Sequence, residues 1–125
     1  MADSWGKVYV FNATMQDIKA YFNDPSVFLY TLLRYRRSPP YEASNVAVPR
    51  GSQGDKPGTF WNSTQVRFQG DDWDASYAIQ VPNTNDQNTP VSDADDLLLY
   101  VFRDWIILCD TRGFTLRAIE YNPES

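Results

Sequence analysis

Clustered aspartates are the most numerous side chains in this sequence that could do chemistry. Two short segments, DDWD (71–74) and DADD (93–96), bring carboxylates close together along the chain. Carboxylate oxygens are ligands that Ca²⁺ binds about six to eight at a time, so Asp71, Asp72 and Asp74 are candidate calcium ligands. Both segments lack the glycine and the closing glutamate of an EF-hand, and aspartate also favours turns. The sequence predicts no cofactor, with calcium as the alternative.

Catalytic chemistry is restricted because the chain contains no histidine. This absence removes the commonest general base, the usual zinc ligand and every nucleophile activated by histidine. The single cysteine, Cys109, lies in the apolar segment WIILC and is predicted to be an inert core residue. A pair of carboxylates about 5 to 9.5 Å apart could still cleave a glycosidic bond, so a carboxylate-based hydrolase stays as an alternative. We predict no catalytic residues and no enzymatic activity.

Tryptophan beside amide and guanidinium groups is the second pattern with a chemical meaning. An aromatic platform flanked by polar side chains is what sugar recognition by stacking and hydrogen bonding uses. If residues 60–68 form a strand, Trp61 shares its outward face with polar residues, and Trp73 offers a second ring. This pattern indicates a lectin-like module that binds a carbohydrate or a lipid headgroup through Trp61, Asn62, Gln65, Arg67 and Trp73. In the alternative interpretation, Trp61 is covered by another element or subunit and Trp73 anchors its loop to the core.

Charge is segregated along the chain. Residues 30–67 carry six basic residues against two acidic ones, whereas residues 68–102 contain seven aspartates and no lysine or arginine. Complementary surfaces on one chain favour contact between copies, which closes as a ring or continues as a filament. The leading hypothesis is a non-enzymatic interaction protein that self-associates, with the basic region 34–50 facing the acidic loops 71–96 of a neighbour. The predicted self-association residues are Arg34, Arg36, Arg37, Arg50, Asp71, Asp72, Asp93, Asp95 and Asp96.

Several partners and locations are disfavoured by the same composition. A net charge of −5 argues against nucleic acid as a partner. The longest apolar run, 97–109, is interrupted by Arg103 and Asp104 and is shorter than the roughly 20 residues of a membrane span. The N-terminus lacks the apolar core of a signal peptide, and one cysteine cannot form an internal disulfide. We expect a cytoplasmic protein, or one released without a cleaved signal peptide.

Strands are the elements that must position these side chains. Alternation places Phe60, Val66 and Phe68 on one face and Trp61, Gln65 and Arg67 on the other, and ASYAIQV repeats the pattern over residues 75–81. Further strands are predicted over 7–11, 45–48, 97–102, 105–109 and 114–121, with a turn at Arg103 and Asp104.

Two segments fit either a helix or a strand. Residues 25–37 have a capping aspartate before them, Pro25 at the first helical position and arginines at the end, yet β-branched and aromatic residues fill the middle. Residues 15–22 are similarly ambiguous. The sequence predicts one β-rich domain over residues 1–125, a mainly antiparallel β-sandwich or flattened barrel of about seven to nine strands, with a short helix near 25–37 as an option.

Overall fold

The fold is a two-layer β-sandwich, as the sequence predicts. The computed structural model describes residues 5–23, 30–33, 45–51, 58–60, 63–81 and 94–121. Within these ranges the strands are β1 (Lys7–Asn12), β2 (Ile18–Phe22), β3 (Tyr30–Leu32), β4 (Asn45–Pro49), β5 (Ser63–Gln69), β6 (Asp74–Gln80), β7 (Leu97–Val101), β8 (Trp105–Asp110) and β9 (Thr115–Glu120). One sheet has the order β4-β1-β7-β8-β9 and the other β3-β2-β5-β6, and the sheets do not close into a barrel.

Alternating side chains build the core between the two sheets. Along β5 and β6 every second residue is buried, which confirms the inward placement of Val66, Phe68 and Tyr77. Phe60 and Phe22 join them, with the rings of Phe22 and Phe68 5.9 Å apart and nearly perpendicular. The facing sheet contributes inward aliphatic residues, among them Val8, Val10, Leu97, Leu99, Ile106 and Leu108. Burial of these side chains on both layers holds the sheets together.

Two tight hairpins connect the strands of the C-terminal third. β7 and β8 turn at Arg103 and Asp104, where the Phe102 N–H donates to the Trp105 carbonyl over 2.9 Å, and this confirms the predicted turn. β8 and β9 are joined by a loop in which Gly113 has a φ of 96°, a conformation that favours glycine. The pairing of β8 with β9 shifts register between Leu108 and Cys109.

The structure excludes the optional helix and includes one parallel strand pair in the predicted, mainly antiparallel sandwich. A helix spanning 25–37 is excluded because Tyr30–Leu32 forms β3, which pairs with β2; residues 24–29 and 34–40 lie outside the described residues. β1 pairs with β7 in a parallel register, although the other strand pairs are antiparallel as predicted. A parallel pair needs a long connection between its strands, and the chain supplies one because β1 and β7 are far apart in sequence. No helix long and apolar enough to cross a membrane occurs in the described ranges.

A buried amide fixes the end of β1 against the opposite layer. The Asn12 Nδ2 donates to the carbonyls of Gln16, Leu32 and Leu33 over 2.7, 3.1 and 3.2 Å. Its Oδ1 accepts hydrogen bonds from the backbone N–H and the hydroxyl of Thr14 over 2.8 and 2.6 Å. Because Asn12 is 2% exposed and its bonds to the Leu32 carbonyl and the Thr14 N–H are buried, its loss would remove hydrogen-bond partners from the interior. The side chain thereby links β1, the following loop and the end of β3.

Candidate interaction surface

The acidic turn between β5 and β6 is held by one glutamine. Gln16 Oε1 accepts hydrogen bonds from the Trp73 indole N–H over 3.0 Å and from the Asp71 backbone N–H over 3.1 Å. Its Nε2 donates to Asp72 Oδ1 over 3.1 Å, and the Trp73 ring packs against the core. A Cβ on Gly70 would lie 2.5 Å from the same glutamine oxygen, so the packing requires glycine there. Trp73 therefore anchors its turn, as in the alternative interpretation, and its N–H is already bonded.

Arginines of the same chain neutralise two of the clustered aspartates. Arg103 Nη1 lies 2.9 Å from Asp72 Oδ1, and Arg67 Nη2 lies 2.5 Å from Asp74 Oδ2. Hydrogen bonds from these guanidinium groups hold the pKa of Asp72 and of Asp74 below the usual range. Among the described residues no group of three or more acidic, histidine or cysteine side chains could hold a metal ion, so the candidate ligands Asp71, Asp72 and Asp74 do not converge.

Arg50 is buried inside the chain, which corrects its assignment to a basic surface. The side chain is 4% exposed, and its Nη1 donates to the Asp95 carbonyl over 2.5 Å. The neighbouring Asp96 carboxylate accepts the Lys7 backbone N–H over 2.9 Å. Residues from the predicted basic and acidic regions thus meet within one copy. Arg50 lies between the end of β4 and the turn before β7, so it cannot face another molecule.

The remaining predicted site residues divide into two groups. Gln65 is exposed and Arg67 is partly exposed, and both lie on the outer face of the four-stranded sheet as predicted. Asp71 and Asp95 are exposed in turns. The others lie outside the described residues: Arg34, Arg36, Arg37, Trp61, Asn62 and Asp93.

The outer side of the four-stranded sheet, here called the polar face, carries the outward side chains of β2, β5 and β6. These include Lys19, Gln65, Arg67, Gln69, Asp74, Ser76 and Gln80. Tyr21 is the one ring on this face among residues 5–23, 30–33 and 63–81, and it is 8% exposed, with the Arg67 guanidinium lying over it, 4.8 Å from the ring centre. The Tyr21 hydroxyl donates to Gln69 Oε1 over 3.1 Å. Polar side chains therefore cover the one aromatic residue that the described part of the chain places on this face.

The outer side of the five-stranded sheet has the opposite character. Apart from Lys7 at the start of β1, its outward residues on β1, β7 and β8, here called the aromatic face, are Tyr9, Phe11, Leu98, Tyr100, Trp105, Ile107 and Cys109. Strand register places Phe11 beside Tyr100 and Tyr100 beside Ile107, and the rings of Phe11 and Tyr100 stack with centres 5.3 Å apart. Trp105 is 39% exposed and stacks on Phe102 at 4.2 Å. In the described part of the chain no strand lies over this face.

Sequence reasoning missed the aromatic face because it treated β7 and β8 as simply buried. Continuous apolar runs such as LLLYV and WIILC are typical of strands covered on both sides. Here the second sheet covers one side only, and Cys109, predicted to lie in the core, is partly exposed on the other. Gln16 and Asn12 were also missed, since a polar residue in a loop or at the end of a strand follows no apolar period.

No protein-family model matches the chain, and no curated protein or solved structure is significantly similar to it. Function is therefore inferred from the surfaces of the chain alone.

Proposed function

We propose that this chain is a non-enzymatic interaction protein that self-associates through the aromatic face. The supporting observation is the contrast between its two outer faces, since among the described strands only one face carries a continuous set of rings and aliphatic side chains. Contiguous apolar patches on a soluble protein mark interaction sites, and tyrosine, tryptophan and phenylalanine are enriched in interfaces. Each large apolar side chain that becomes fully buried contributes about 1.5–3 kcal/mol.

A second copy of the same chain is the occupant that fits the shape of this face. Strands lie about 4.8 Å apart and rise about 3.4 Å per residue, so the outer side of the five-stranded sheet is a rectangle of roughly 24 by 17 Å, and the aromatic face occupies three of its strands. Two such rectangles stacked face to face bury on the order of 1,000 Å², the lower limit for a specific interface. Two-fold pairing brings the same surface of both copies together, so each apolar side chain meets apolar side chains of the partner subunit. We expect a dissociation constant in the micromolar range.

This proposal keeps the predicted self-association and moves it to another surface. Arg50 is buried, while Asp72 and Asp74 are paired with arginines of their own chain, which leaves them fewer free charges for a neighbour. A charge-paired contact would weaken as salt rises, because ions screen exposed charges within about 8–10 Å. An apolar contact would persist or strengthen in high salt.

The test is the weight-average mass of the full chain, measured by sedimentation across a concentration series at low and high salt. We expect the mass to rise above 14.4 kDa with concentration at both salts, and to rise less for Tyr100→Lys. The matched control is Gln65→Lys, which adds the same charge to the polar face. A mass series identical for wild type and Tyr100→Lys would contradict the proposal, and loss of association in high salt would favour the charge-paired contact.

A carbohydrate-binding or lipid-headgroup-binding role is the second candidate, on the polar face. Gln65, Ser76 and Ala78 line a shallow depression of about 230 Å³ there, with amide and hydroxyl groups available for a ligand. Glycan and lipid arrays probed with wild type, Gln65→Ala and Trp61→Ala test this role. Binding that both substitutions weaken would support it, and binding that neither affects would contradict it.

A further inference from the structure

The described sandwich has four edge strands, and they differ in how their free backbone groups are protected. β4 and β9 border the five-stranded sheet, and β3 and β6 border the four-stranded sheet. An edge strand offers unpaired N–H and C=O groups to any other strand. Proteins prevent unwanted pairing by keeping edges short, by adding proline or charged residues, or by bulges.

Three of these edges carry such protection. β3 is only three residues long. β4 ends at Pro49, and the next residue, Arg50, forms a bridge with Phe60. β9 has a register shift against β8 and exposes the charged residues Arg117 and Glu120.

The fourth edge, β6, has none of these features. It runs for seven residues, and its register with β5 is unbroken from Asp74 to Gln80. Its outward side chains, Asp74, Ser76, Ala78 and Gln80, include no lysine and no proline. The single charge, Asp74, is paired with Arg67 on β5. β6 is therefore long, regular and unprotected.

The hairpin geometry shows which groups of β6 face outward along the edge. The Gly70 N–H donates to the Trp73 carbonyl over 3.0 Å, so these two residues form a hydrogen-bonded pair. Hydrogen-bonded and non-hydrogen-bonded pairs alternate along an antiparallel ladder. Residues 75, 77 and 79 thus bond to β5, and residues 74, 76, 78 and 80 direct their N–H and C=O groups to the open edge. Within the described ranges, β6 pairs with β5 alone.

We propose that β6 pairs edge to edge with β6 of a second copy, antiparallel and about a two-fold axis at Tyr77. In this register all seven residues overlap, and the four outward-directed residues of each strand form about eight N–H···O bonds. Ser76 lies opposite Ala78 of the partner subunit, and Asp74 lies opposite Gln80 of the partner subunit, so no like charges meet. The two four-stranded sheets become one sheet of eight strands.

This contact uses a different surface from the aromatic face and does not depend on it. Two separate two-fold contacts on one chain give a closed tetramer or an open filament, depending on the angle between their axes. The experiment therefore removes the aromatic-face contact first, with Tyr100→Lys, and then examines what association remains.

The measurement is sedimentation of the full-length Tyr100→Lys chain alone and combined with Ala78→Lys, Ala78→Pro or Gln65→Lys. Gln65 is the matched control because it lies opposite Ala78 on β5, and a lysine there adds the same charge on the same face, one strand away from the edge. Ala78→Pro removes an N–H that points to the open edge, and circular dichroism verifies that each variant keeps its strands.

We expect Tyr100→Lys to form dimers, and both Ala78 substitutions to raise the dimer dissociation constant at least tenfold. Gln65→Lys is expected to leave the constant unchanged. A Tyr100→Lys chain that is monomeric at every concentration would overturn the edge contact while leaving the aromatic-face proposal intact. Equal weakening by Ala78→Lys and Gln65→Lys would also overturn it, since the effect would then come from charge and not from the edge.

Discussion

The two outer faces of the sandwich differ although the same alternation builds both sheets. On the polar face, Tyr21 is covered by Arg67 and hydrogen-bonded to Gln69. On the aromatic face, Phe11 and Tyr100 contact each other and lie among further apolar side chains. Inward residues therefore determine that the chain folds as a sandwich, whereas outward residues determine which side of it is suited to a partner. Apolar residues on both sides of a sheet are typical of sheets in which other elements or subunits cover both sides.

The largest expected effect separates inward from outward phenylalanines. Phe68 is fully buried between the sheets, so Phe68→Ala should lower the free energy of unfolding by about 3–5 kcal/mol. Phe11→Ala, on the aromatic face, should lower the free energy of unfolding of the monomer by about 1 kcal/mol, because the Phe11 ring is only partly buried. Urea denaturation of both variants in dilute solution measures the difference. Equal losses would mean that the aromatic face is itself a buried core layer.

The next largest effect concerns the side-chain amide of Asn12, which lies on β1 and bonds to the end of β3 in the other layer. Asn12→Ala would leave the Leu32 carbonyl and the Thr14 N–H unpaired in the interior, and we expect a loss of about 2–3 kcal/mol in the free energy of unfolding. Thr31→Ala is the control, because Thr31 is exposed on β3 next to Leu32. If thermal unfolding shows the two variants to be equally stable, Asn12 does not join the layers.

A smaller effect is expected at the β8–β9 loop. Burial alone would raise the pKa of Asp110. Hydrogen bonds from the Arg112 side chain and from the backbone N–H groups of Phe114 and Arg112 lower it by more than burial raises it, so the net pKa lies below its usual value. Such a carboxylate stabilises the fold above its unfolded pKa of about 3.9, and the contribution is lost as pH falls through the folded pKa. Asp110→Asn should cost about 1 kcal/mol at neutral pH.

Acid unfolding measures the Asp110 contribution. Wild type should lose stability below about pH 4, and Asp110→Asn should lose less over the same interval because its amide does not titrate there. The contradictory outcome is a pair of parallel stability curves, which would mean that Asp110 has the same pKa folded and unfolded.

The smallest effect sharpens the contrast between the faces. Arg67→Ala uncovers Tyr21 and removes the partner of Asp74, which should lower the free energy of unfolding by at most about 1 kcal/mol. Sedimentation should show no new association, since one uncovered ring does not form a continuous apolar surface. The comparison is made in the Tyr100→Lys background, which removes the aromatic-face contact. A higher mass for the Arg67→Ala/Tyr100→Lys chain than for Tyr100→Lys alone would mean that any exposed ring suffices.

Local patterns predicted most of the fold. The alternation in β5 and β6, the turn at Arg103 and Asp104 and the strand that became β1 all depend on neighbours in sequence, and the structure confirms them. The parallel pairing of β1 with β7 could not be predicted, because nothing local identifies a partner strand so far along the chain. The charge of Arg50 suggested exposure, but its guanidinium is buried and donates to the Asp95 carbonyl.

The candidate site was harder to predict than the fold for a specific physical reason. The alternation of residues along a strand shows which side faces inward only when the other side is polar, as in β5. In β7 and β8 both sides are apolar, so the pattern could not say that the second sheet would cover just one of them. The sequence predicted a binding surface on the polar face, and the larger apolar surface lies on the opposite side of the molecule.

The most direct test of the aromatic-face contact uses Cys109, the only cysteine in the chain, which lies partly exposed on that face. If two aromatic faces pair, the initial rate at which a maleimide alkylates Cys109 will fall as protein concentration rises, and the rate in Tyr100→Lys will fall much less. A rate that stays constant in wild type over the range where its mass increases would show that the face remains open, and would contradict the proposed self-association surface.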